Sequence, residues 1–332
     1  MKISIAMTTY NGERYIEQQL DSLLGQTHPI DEVVILDDRS SDGTAGRVRS
    51  FIDKNDLRHW RFEVNGKNLG YIDNFYKVIG LTTGDIIFLC DQDDIWHSDK
   101  IEKIVGLFNN KKKAQVINTG FRKVDGGGSV IPDKNRWHYY NHDIIKGFAA
   151  KKTLKKISLG YIIKCNISPG CTSALTRETK ALYLENATKQ YPHDWEINTF
   201  GAMLDGLYFY NEELIDYRLH ENNTLGLDIV KPPPLIKLRI DQDMNKRIHL
   251  AENMLQKVEF YHNERCLQAM TVSERRRYIS RSIFAQKRLQ MLKQHWLSGW
   301  FSLLMLLRYY IESVGIKGII GDFVYLIKRE EE

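Results

Sequence analysis

Short apolar runs alternate with amphipathic segments along the first hundred residues. Buried strands are predicted for the apolar runs Ile3–Met7, Glu32–Leu36, Trp60–Val64 and Asp85–Cys90. Helices are predicted between them at Glu13–Leu24, Thr44–Lys54 and Ile72–Ile79. Strands separated by helices favour an α/β fold, with a mostly parallel central sheet that carries helices on both faces.

The pattern is less regular between residues 110 and 225. Gly126–Gly128 is typical of a hairpin tip, Ser173–Thr176 of a strand, and Thr176–Glu185 and Trp195–Leu204 of helices. Three consecutive prolines at Lys231–Pro234 can neither continue a helix nor lie in a central strand. We therefore predict one domain over residues 1–230 and a helical region over 231–332.

The charge is divided unevenly between these two parts. The chain has a net charge of +5, but residues 1–230 carry 29 basic and 31 acidic side chains, whereas residues 231–332 carry 18 and 11. Four scattered cysteines without a CxxC pair argue against a zinc site and a disulfide framework, so we expect reduced thiols. We expect no signal peptide, because the N-terminal residues contain no apolar h-region followed by a cleavage site. We expect no spanning helix, because the longest uncharged apolar stretch, 296–307, is short of the roughly 20 residues required.

Three of the predicted strands end in polar clusters, which are Thr8–Gly12, Asp37–Thr44 and Asp91–Asp94. One such cluster is usually turn and cap chemistry. Three at the carboxyl edge of one sheet indicate a ligand site, because open α/β sheets bind ligands there. The three carboxylates within Asp91–Asp94 repel one another unless a cation lies among them, and a hard divalent ion prefers such oxygens.

These clusters belong to a wider set of motifs. The set comprises Thr8–Gly12, Gln18–Thr27, Asp37–Thr44, Asn68–Gly70, Asp91–Trp96, His193–Trp195 and Tyr217–Asn223. In this combination the chain resembles a family 2 glycosyltransferase with the GT-A (Rossmann-like) fold over about residues 1–225, most closely the bacterial rhamnosyltransferases of O-antigen and capsule polysaccharide synthesis. The resemblance implies nucleotide-sugar binding over about 1–110 and acceptor binding over about 111–230.

The resemblance also implies roles for individual residues. Thr8, Tyr10 and Asp38 would hold the nucleotide base, Asp91 would lie near the ribose, and Asn68 would reach the donor. Glu13 is a further donor-binding position. Gly170, in Ser168–Thr172, would let the backbone approach the donor sugar or the acceptor, although the same segment is compatible with an ordinary tight turn.

The implied metal ligands are Asp93 and His220, which would hold Mg²⁺ or Mn²⁺ against the donor diphosphate. Asp194 matches the catalytic base of an inverting transfer, which accepts the proton of the attacking hydroxyl. Glu196 is the alternative base, and a helix N-cap is the alternative role for Asp194. We expect Cys171 to serve packing, because an inverting transfer needs no covalent intermediate.

Basic and aromatic residues are concentrated near the C-terminal end of the sequence. Residues 271–295 contain seven arginines and lysines against one acid, Glu274, and Trp296, Trp300 and Phe301 follow. Such a segment is typical of a peripheral membrane anchor. A homo-oligomer interface and simple helix packing are the alternatives; a nucleic-acid partner is not expected, because no binding motif accompanies the charge.

Together these features predict a cytoplasmic enzyme on the inner face of a bacterial plasma membrane. It would move L-rhamnose from dTDP-L-rhamnose to a lipid-linked glycan that contacts residues 126–160. A UDP-hexose or UDP-N-acetylhexosamine donor is the alternative within the same chemistry. A nucleotidyltransferase would carry a glycine-rich basic loop that Thr8–Gly12 lacks, and a catalytically inactive membrane-bound scaffold that binds nucleotide sugars is the non-enzymatic alternative.

Overall fold

The computed structural model describes residues 1–132, 153–162, 166–221, 223, 244–260, 266, 268, 270–294, 297–307, 319–320, 322–323 and 326. The chain forms two compact units, Met1–Leu227 and Asp228–Glu332. The predicted boundary segment Lys231–Pro234 and residues 133–152 of the predicted acceptor-contacting segment 126–160 lie outside the described residues.

The first four strands of the first unit form a parallel sheet. They are β1 (Ile3–Thr9), β2 (Glu32–Asp37), β3 (Trp60–Val64) and β4 (Ile86–Cys90). The connecting helices are α1 (Ile16–Leu24), α2 (Thr44–Lys54) and α3 (Tyr71–Leu81). In the order β3-β2-β1-β4, every neighbouring pair is parallel. All these elements were predicted, because each buries an apolar run or an apolar helical face.

The sheet continues with strands of both directions. They are β5 (Ile95–Trp96), β6 (Val116–Val124), β7 (Leu154–Lys156), β8 (Ser173–Thr176) and β9 (Leu207–Arg218). The full order is β3-β2-β1-β4-β8-β6-β9-β5, with β7 on β9. β8 runs antiparallel to β4 and β6, whereas β9 runs parallel to β6. The α/β class is confirmed, and the parallel pairing expected for most of the sheet is found among its first four strands and between β6 and β9, whereas the remaining pairs are antiparallel.

Four further α-helices and a short 3₁₀ helix, Gly170–Thr172, complete the described part of this unit. The α-helices are α4 (Lys100–Asn110), α5 (Leu159–Ile162), α6 (Arg177–Asn186) and α7 (His193–Met203). The predicted hairpin tip at Gly126–Gly128 is present, closed by an antiparallel bridge between Val124 and Val130.

The ends of three central strands are held level with one another. Thr9 of β1 pairs with Asp37 of β2, and Met7 of β1 pairs with Cys90 of β4. The side chains of β1 are almost all fully buried, because this strand has a neighbour on each side. The polar residues that follow the three strands therefore emerge side by side at the carboxyl edge.

The second unit is helical in its described part, as predicted. Its helices are α8 (Met244–Phe260), α9 (Val272–Gln294) and α10 (Leu297–Leu304). The carboxylate of Asp322 is fully buried and pairs with Arg247 at 2.8 Å and Arg288 at 2.9 Å. Arg288, expected on a basic surface, is therefore internal. None of the described helices combines the length and hydropathy needed to cross a bilayer.

Candidate active site

A cavity of about 360 Å³ lies at the carboxyl edge of the first four strands. Of the predicted site residues, it is lined by Thr8, Tyr10, Asp38, Asn68, Asp91, Asp93, Gly170 and Asp194. Residues from loops far apart in the sequence thus meet at one place, and the volume is within the range of small-molecule sites.

Glu13 is outside this lining. Its carboxylate pairs with Arg47 at 3.1 Å and accepts a hydrogen bond of 3.0 Å from the backbone N–H of Gly43. Glu13 therefore braces the start of α2, and its side chain does not line the cavity.

Asp38 holds the loop that carries Asn68. One carboxylate oxygen accepts hydrogen bonds from the backbone N–H of Leu69 (2.8 Å) and the side chain of Asn65 (2.9 Å). The other accepts one from the backbone N–H of Gly70 at 2.8 Å. Gly70 has φ +80°, a conformation that favours glycine, and it is the N-cap residue of α3. An acid at position 38 is thus required for the loop itself, in addition to any ligand contact.

Tyr10 presents an exposed ring at the rim of the cavity. Its backbone is fixed by Gln92, whose side chain accepts from the Tyr10 N–H and donates to the Tyr10 carbonyl, each at 2.8 Å. The two loops after β1 and β4 therefore form one rigid edge, and the ring remains accessible to a planar ligand.

The acidic loop is partly dehydrated. Burial and the neighbouring carboxylates raise the pKa of Asp91 well above its ordinary range. Burial and the charge of Asp93 raise the pKa of Asp94 to about 7. The Lys100 ammonium is buried nearby, donates to the Cys171 carbonyl at 2.7 Å, and has its pKa lowered to about 7 by burial. The ionised forms of Asp91 and Asp94 are therefore disfavoured, and a bound cation would favour them.

Asp93 and His220 form a candidate metal-ligand pair. The His220 Nε2 lies 2.8 Å from Asp93 Oδ2, and both side chains are largely buried. A carboxylate oxygen and an imidazole nitrogen at one point fit Mg²⁺ or Mn²⁺, with the remaining positions open to water and phosphate oxygens. The described residues also bring Asp91, Asp94 and Cys171 together, with potential ligand atoms within 4.8 Å of one another. We favour the Asp93 pair, because burial raises the pKa of the Cys171 thiol and keeps it protonated.

Arg218 holds the Asp93–His220 pair in place, and this role of Arg218 was not predicted from the sequence. Its guanidinium is buried and donates to the Asp93 carbonyl at 2.8 Å, to the Gly126 carbonyl at 3.2 Å and to Gln18 Oε1 at 2.6 Å. Its backbone N–H donates to Asp94 Oδ1 at 3.1 Å. The end of β9 is thereby fixed to the acidic loop. The sequence contained a signal, since Arg218 belongs to the Tyr217–Asn223 motif.

Asp194 lies buried in the first turn of α7 and lines the cavity. Its Oδ1 accepts a hydrogen bond of 2.8 Å from the Trp195 N–H, and burial raises its pKa to about 7 despite this bond and one with Asn166. The helix N-cap is Pro192, so Asp194 is not the capping residue. Glu196 points elsewhere, towards Thr188 at 2.6 Å, and does not line the cavity.

His193 and Gly170 form the wall beside Asp194. The imidazole stacks on Phe75 with ring centroids 3.8 Å apart, and burial lowers its pKa to about 3. Among the described residues, neither ring nitrogen has a hydrogen-bond partner. A Cβ at Gly170 would lie 2.5 Å from His193 Nε2, so only glycine fits there. This wall keeps a neutral imidazole next to the buried carboxylate.

Comparisons with known proteins show which family and fold this chain is similar to. Residues 4–168 match the family model described as Glycosyl transferase family 2. The chain is similar to the dTDP-rhamnosyl transferase RfbG of Shigella flexneri, with 29% identity over 239 residues that make up 67% of this chain and 74% of that protein.

Two solved structures have a similar fold. TarS 1–349 from S. aureus gives a TM-score of 0.58 at 14% identity, covering 100% of this chain and 92% of that chain. The mannosyltransferase PcManGT from Pyrobaculum calidifontis, in complex with GDP-Man and Mn²⁺, gives 0.54 at 15% identity, covering 99% and 88%. The predicted GT-A fold is confirmed.

Proposed function

Since the chain carries a glycosyl transferase family 2 domain and is a glycosyltransferase, we propose that it moves a sugar from a nucleotide-sugar donor with inversion at the anomeric carbon. The observation that carries this proposal is the arrangement of the cavity. A buried carboxylate with its pKa raised to about 7, Asp194, lines the same cavity as the acidic loop with Asp93.

The chemistry follows from that arrangement. The acceptor hydroxyl attacks the anomeric carbon and gives its proton to Asp194, whose pKa suits a general base near neutral pH. The bond between the anomeric carbon and the donor phosphate breaks, and its electron pair stays on the leaving diphosphate. A divalent cation held by Asp93 and His220 would stabilise that charge.

We assign the rest of the cavity edge to the donor. Tyr10 stacks on the base, Thr8 and Asp38 contact it, and Asn68 and Asp91 hold the ribose and the groups beyond it. Gly170 gives the sugar room beside His193. Glu13 supports this site only through the start of α2.

The proposed donor is dTDP-L-rhamnose. The similarity to the dTDP-rhamnosyl transferase of Shigella flexneri supports it over 67% of the chain. The alternative is a UDP-hexose or UDP-N-acetylhexosamine, which is favoured by the likeness in fold to TarS, a protein solved with UDP-GlcNAc.

The proposed acceptor is a lipid-linked surface glycan at the inner face of the plasma membrane, in O-antigen or capsule synthesis. Support comes from the second unit, where Arg275, Arg276 and Lys287 are exposed along α9. The exposed side chains of Phe301 and Met305 add apolar contact area. A homo-oligomer interface is the competing role for this surface.

A donor panel tests the proposal. Thermal shift with Mn²⁺ is measured for dTDP-rhamnose, UDP-glucose, UDP-galactose and UDP-GlcNAc, followed by Mn²⁺-dependent release of the nucleoside diphosphate. We expect the largest stabilisation and turnover with dTDP-rhamnose. A larger effect of a UDP-sugar would select the alternative donor, and binding without any turnover would favour the non-enzymatic scaffold.

A further inference from the structure

Four buried polar side chains form a continuous hydrogen-bonded chain that ends at Asp194. The Ser173 hydroxyl donates to Asn118 Oδ1 at 2.7 Å, and Asn118 Nδ2 donates to Asn198 Oδ1 at 2.7 Å. Asn198 Nδ2 then donates to Asn166 Oδ1 at 2.8 Å, and hydrogen bonding by the Asn166 side chain acts to lower the pKa of Asp194. Every donor in this chain therefore points towards the base.

The four residues come from different parts of the fold. Ser173 of β8 and Asn118 of β6 are directly paired across the sheet, Asn198 lies one turn after Asp194 in α7, and Asn166 precedes the Ser168–Thr172 segment. Each has at most 5% of its surface exposed. Buried amides require partners, so this chain is a satisfied network that fixes its members rigidly.

The direction of the chain is set by a backbone group. The N–H of Ile167 donates to Asn166 Oδ1 at 2.9 Å, the same oxygen that Asn198 reaches. A backbone N–H can only donate, so this end of the Asn166 amide must be the oxygen. The Nδ2 group is then the end of the amide that can donate to the Asp194 carboxylate, in agreement with the lowering effect of Asn166 on the pKa of Asp194.

We propose that Asn166, oriented by Asn198, Asn118 and Ser173, is a positioning residue that holds the Asp194 carboxylate and favours its ionised form. This inference rests on the proposed role of Asp194 as the base. Two donors, the Asn166 amide and the Trp195 N–H, then oppose the effect of burial on the carboxylate. Without them Asp194 would remain protonated over a wider pH range.

The other ionisable groups that face Asp194 either disfavour its ionised form or have no effect on it. Asp91 on the acidic loop interacts with it unfavourably, and Tyr71 of α3 and Tyr183 of α6 have pKa values raised by burial and, in part, by Asp194. His193 is neutral at ordinary pH, because burial lowers its pKa to about 3. The ionised form of Asp194 is therefore stabilised by amide N–H donors and not by a nearby cation.

The test measures the pKa of Asp194 directly, in the full-length protein without ligand. Aspartate is labelled with ¹³C at the carboxylate, and the Asp194 signal is assigned as the one missing in Asp194→Asn. The variant Asn166→Ala removes the donor and should raise the pKa by about one unit, because a hydrogen bond to a charged group corresponds to a shift of that size. Asn198→Leu leaves the bond between Asn166 and Asp194 in place but removes the partner that orients the Asn166 amide. This variant should therefore raise the pKa of Asp194 by about half a unit.

Two further variants complete the design. Asn166→Asp retains the two bonds that position 166 accepts, but it replaces the donating amide by a second carboxyl group beside Asp194, so it should raise the pKa by more than one unit even if Asn166→Ala does not fold. Asn211→Ala removes an equally buried amide of β9 and should leave the pKa unchanged. The acid limb of the pH–rate profile should move with the NMR pKa.

An unchanged pKa in Asn166→Ala and Asn166→Asp would overturn the proposal. A shift in these two variants with none in Asn198→Leu would also overturn it, since Asn166 would then act without the chain. Because the NMR measurement needs no turnover, a failure to transfer sugar would refute the proposed function while leaving the role of Asn166 supported by its shift.

Discussion

The Nε2 atom of His220 lies 2.8 Å from Oδ2 of Asp93, although the two residues are 127 positions apart. Asp93 follows β4 and His220 follows β9, and β9 is joined to the acidic loop through Arg218. The side chain of His220 also packs on Tyr15, with ring centroids 4.7 Å apart. The pair is therefore held in place before any ligand arrives.

From this pair we predict the metal requirement. Asp93→Ala and His220→Ala should each abolish the stabilisation that Mn²⁺ gives in the presence of the preferred nucleotide sugar, because each removes one ligand. We expect at least a tenfold weaker apparent Mn²⁺ affinity, measured by thermal shift across a Mn²⁺ titration. Asp53→Ala, at an exposed residue, and His28→Ala, at a half-buried residue outside the cavity lining, are the controls and should respond like the wild type. Undiminished Mn²⁺ affinity in both ligand variants would exclude this pair as the metal site.

Asp194→Asn is predicted to reduce kcat of transfer by about 10²–10⁴-fold, the usual contribution of a general base, with donor affinity nearly unchanged. Glu196→Gln is the matched control, because Glu196 binds Thr188 and does not line the cavity. It should retain kcat within a few-fold. Steady-state kinetics distinguish the two residues, and a larger loss in Glu196→Gln would reverse the assignment.

The same carboxylate predicts a pH dependence of stability. Burial raises the pKa of Asp194 to about 7, so ionising it in the folded protein is unfavourable relative to the unfolded chain. The cost is absent below the unfolded pKa of about 4 and is complete above about pH 7. Asp194→Asn should therefore have a higher Tm than the wild type at pH 8, and this advantage should disappear near pH 4. A lower Tm at pH 8 would contradict the raised pKa.

The first four strands and their helices could be predicted, because each has a strong apolar period. Thr44–Lys54 and Trp60–Val64 have the predicted bounds. Strands β6 and β9 were missed, since Asn118, Thr119 and Glu212 interrupt their apolar patterns. Their polar residues are satisfied by hydrogen bonds to distant residues, such as Asn118 to Asn198, which no local pattern reveals.

The residues that form the site could be predicted from the sequence, but the interactions that hold them in place could not. The sequence motifs alone identified the acidic residues that line the cavity. The bracing role of Glu13 and the links made by Arg218 depend on partners far away in sequence, at Arg47 and Gln18. The raised pKa of Asp194 depends on burial, which is a property of the packed fold.

Two glycines should respond to alanine in opposite ways. Gly170→Ala would place a Cβ 2.5 Å from His193 Nε2, and the stacked ring cannot move without leaving Phe75. We expect a loss of about 1–3 kcal/mol in the free energy of unfolding and a marked loss of turnover. Gly46→Ala lies in α2 with open space around it and should stabilise by about 0.5–1 kcal/mol. Denaturant unfolding measures both, and a neutral Gly170→Ala would mean that the wall is not rigid.

The second unit should bind anionic membranes through its exposed basic and apolar residues. Replacing Arg275, Arg276 and Lys287 by glutamine removes three exposed cations, each contributing about 1 kcal/mol near an anionic surface, so binding should fall about 100-fold at low salt. Phe301→Ser with Met305→Ser should weaken it further, because these side chains are 56% and 87% exposed and can enter the lipid boundary.

Sedimentation with phosphatidylglycerol vesicles measures this binding, and phosphatidylcholine vesicles give the uncharged reference. Val64→Ser, which removes a 41% exposed apolar side chain from the first unit, is the matched control and should sediment like the wild type. The membrane role is wrong if the glutamine variant binds vesicles as well as the wild type and the oligomeric state of the glutamine or the serine variant changes in analytical ultracentrifugation. The surface would then be an interface between copies of the chain. Weaker vesicle binding with an unaltered oligomeric state would leave the lipid surface as the partner, because only that partner requires both the cations and the two apolar side chains.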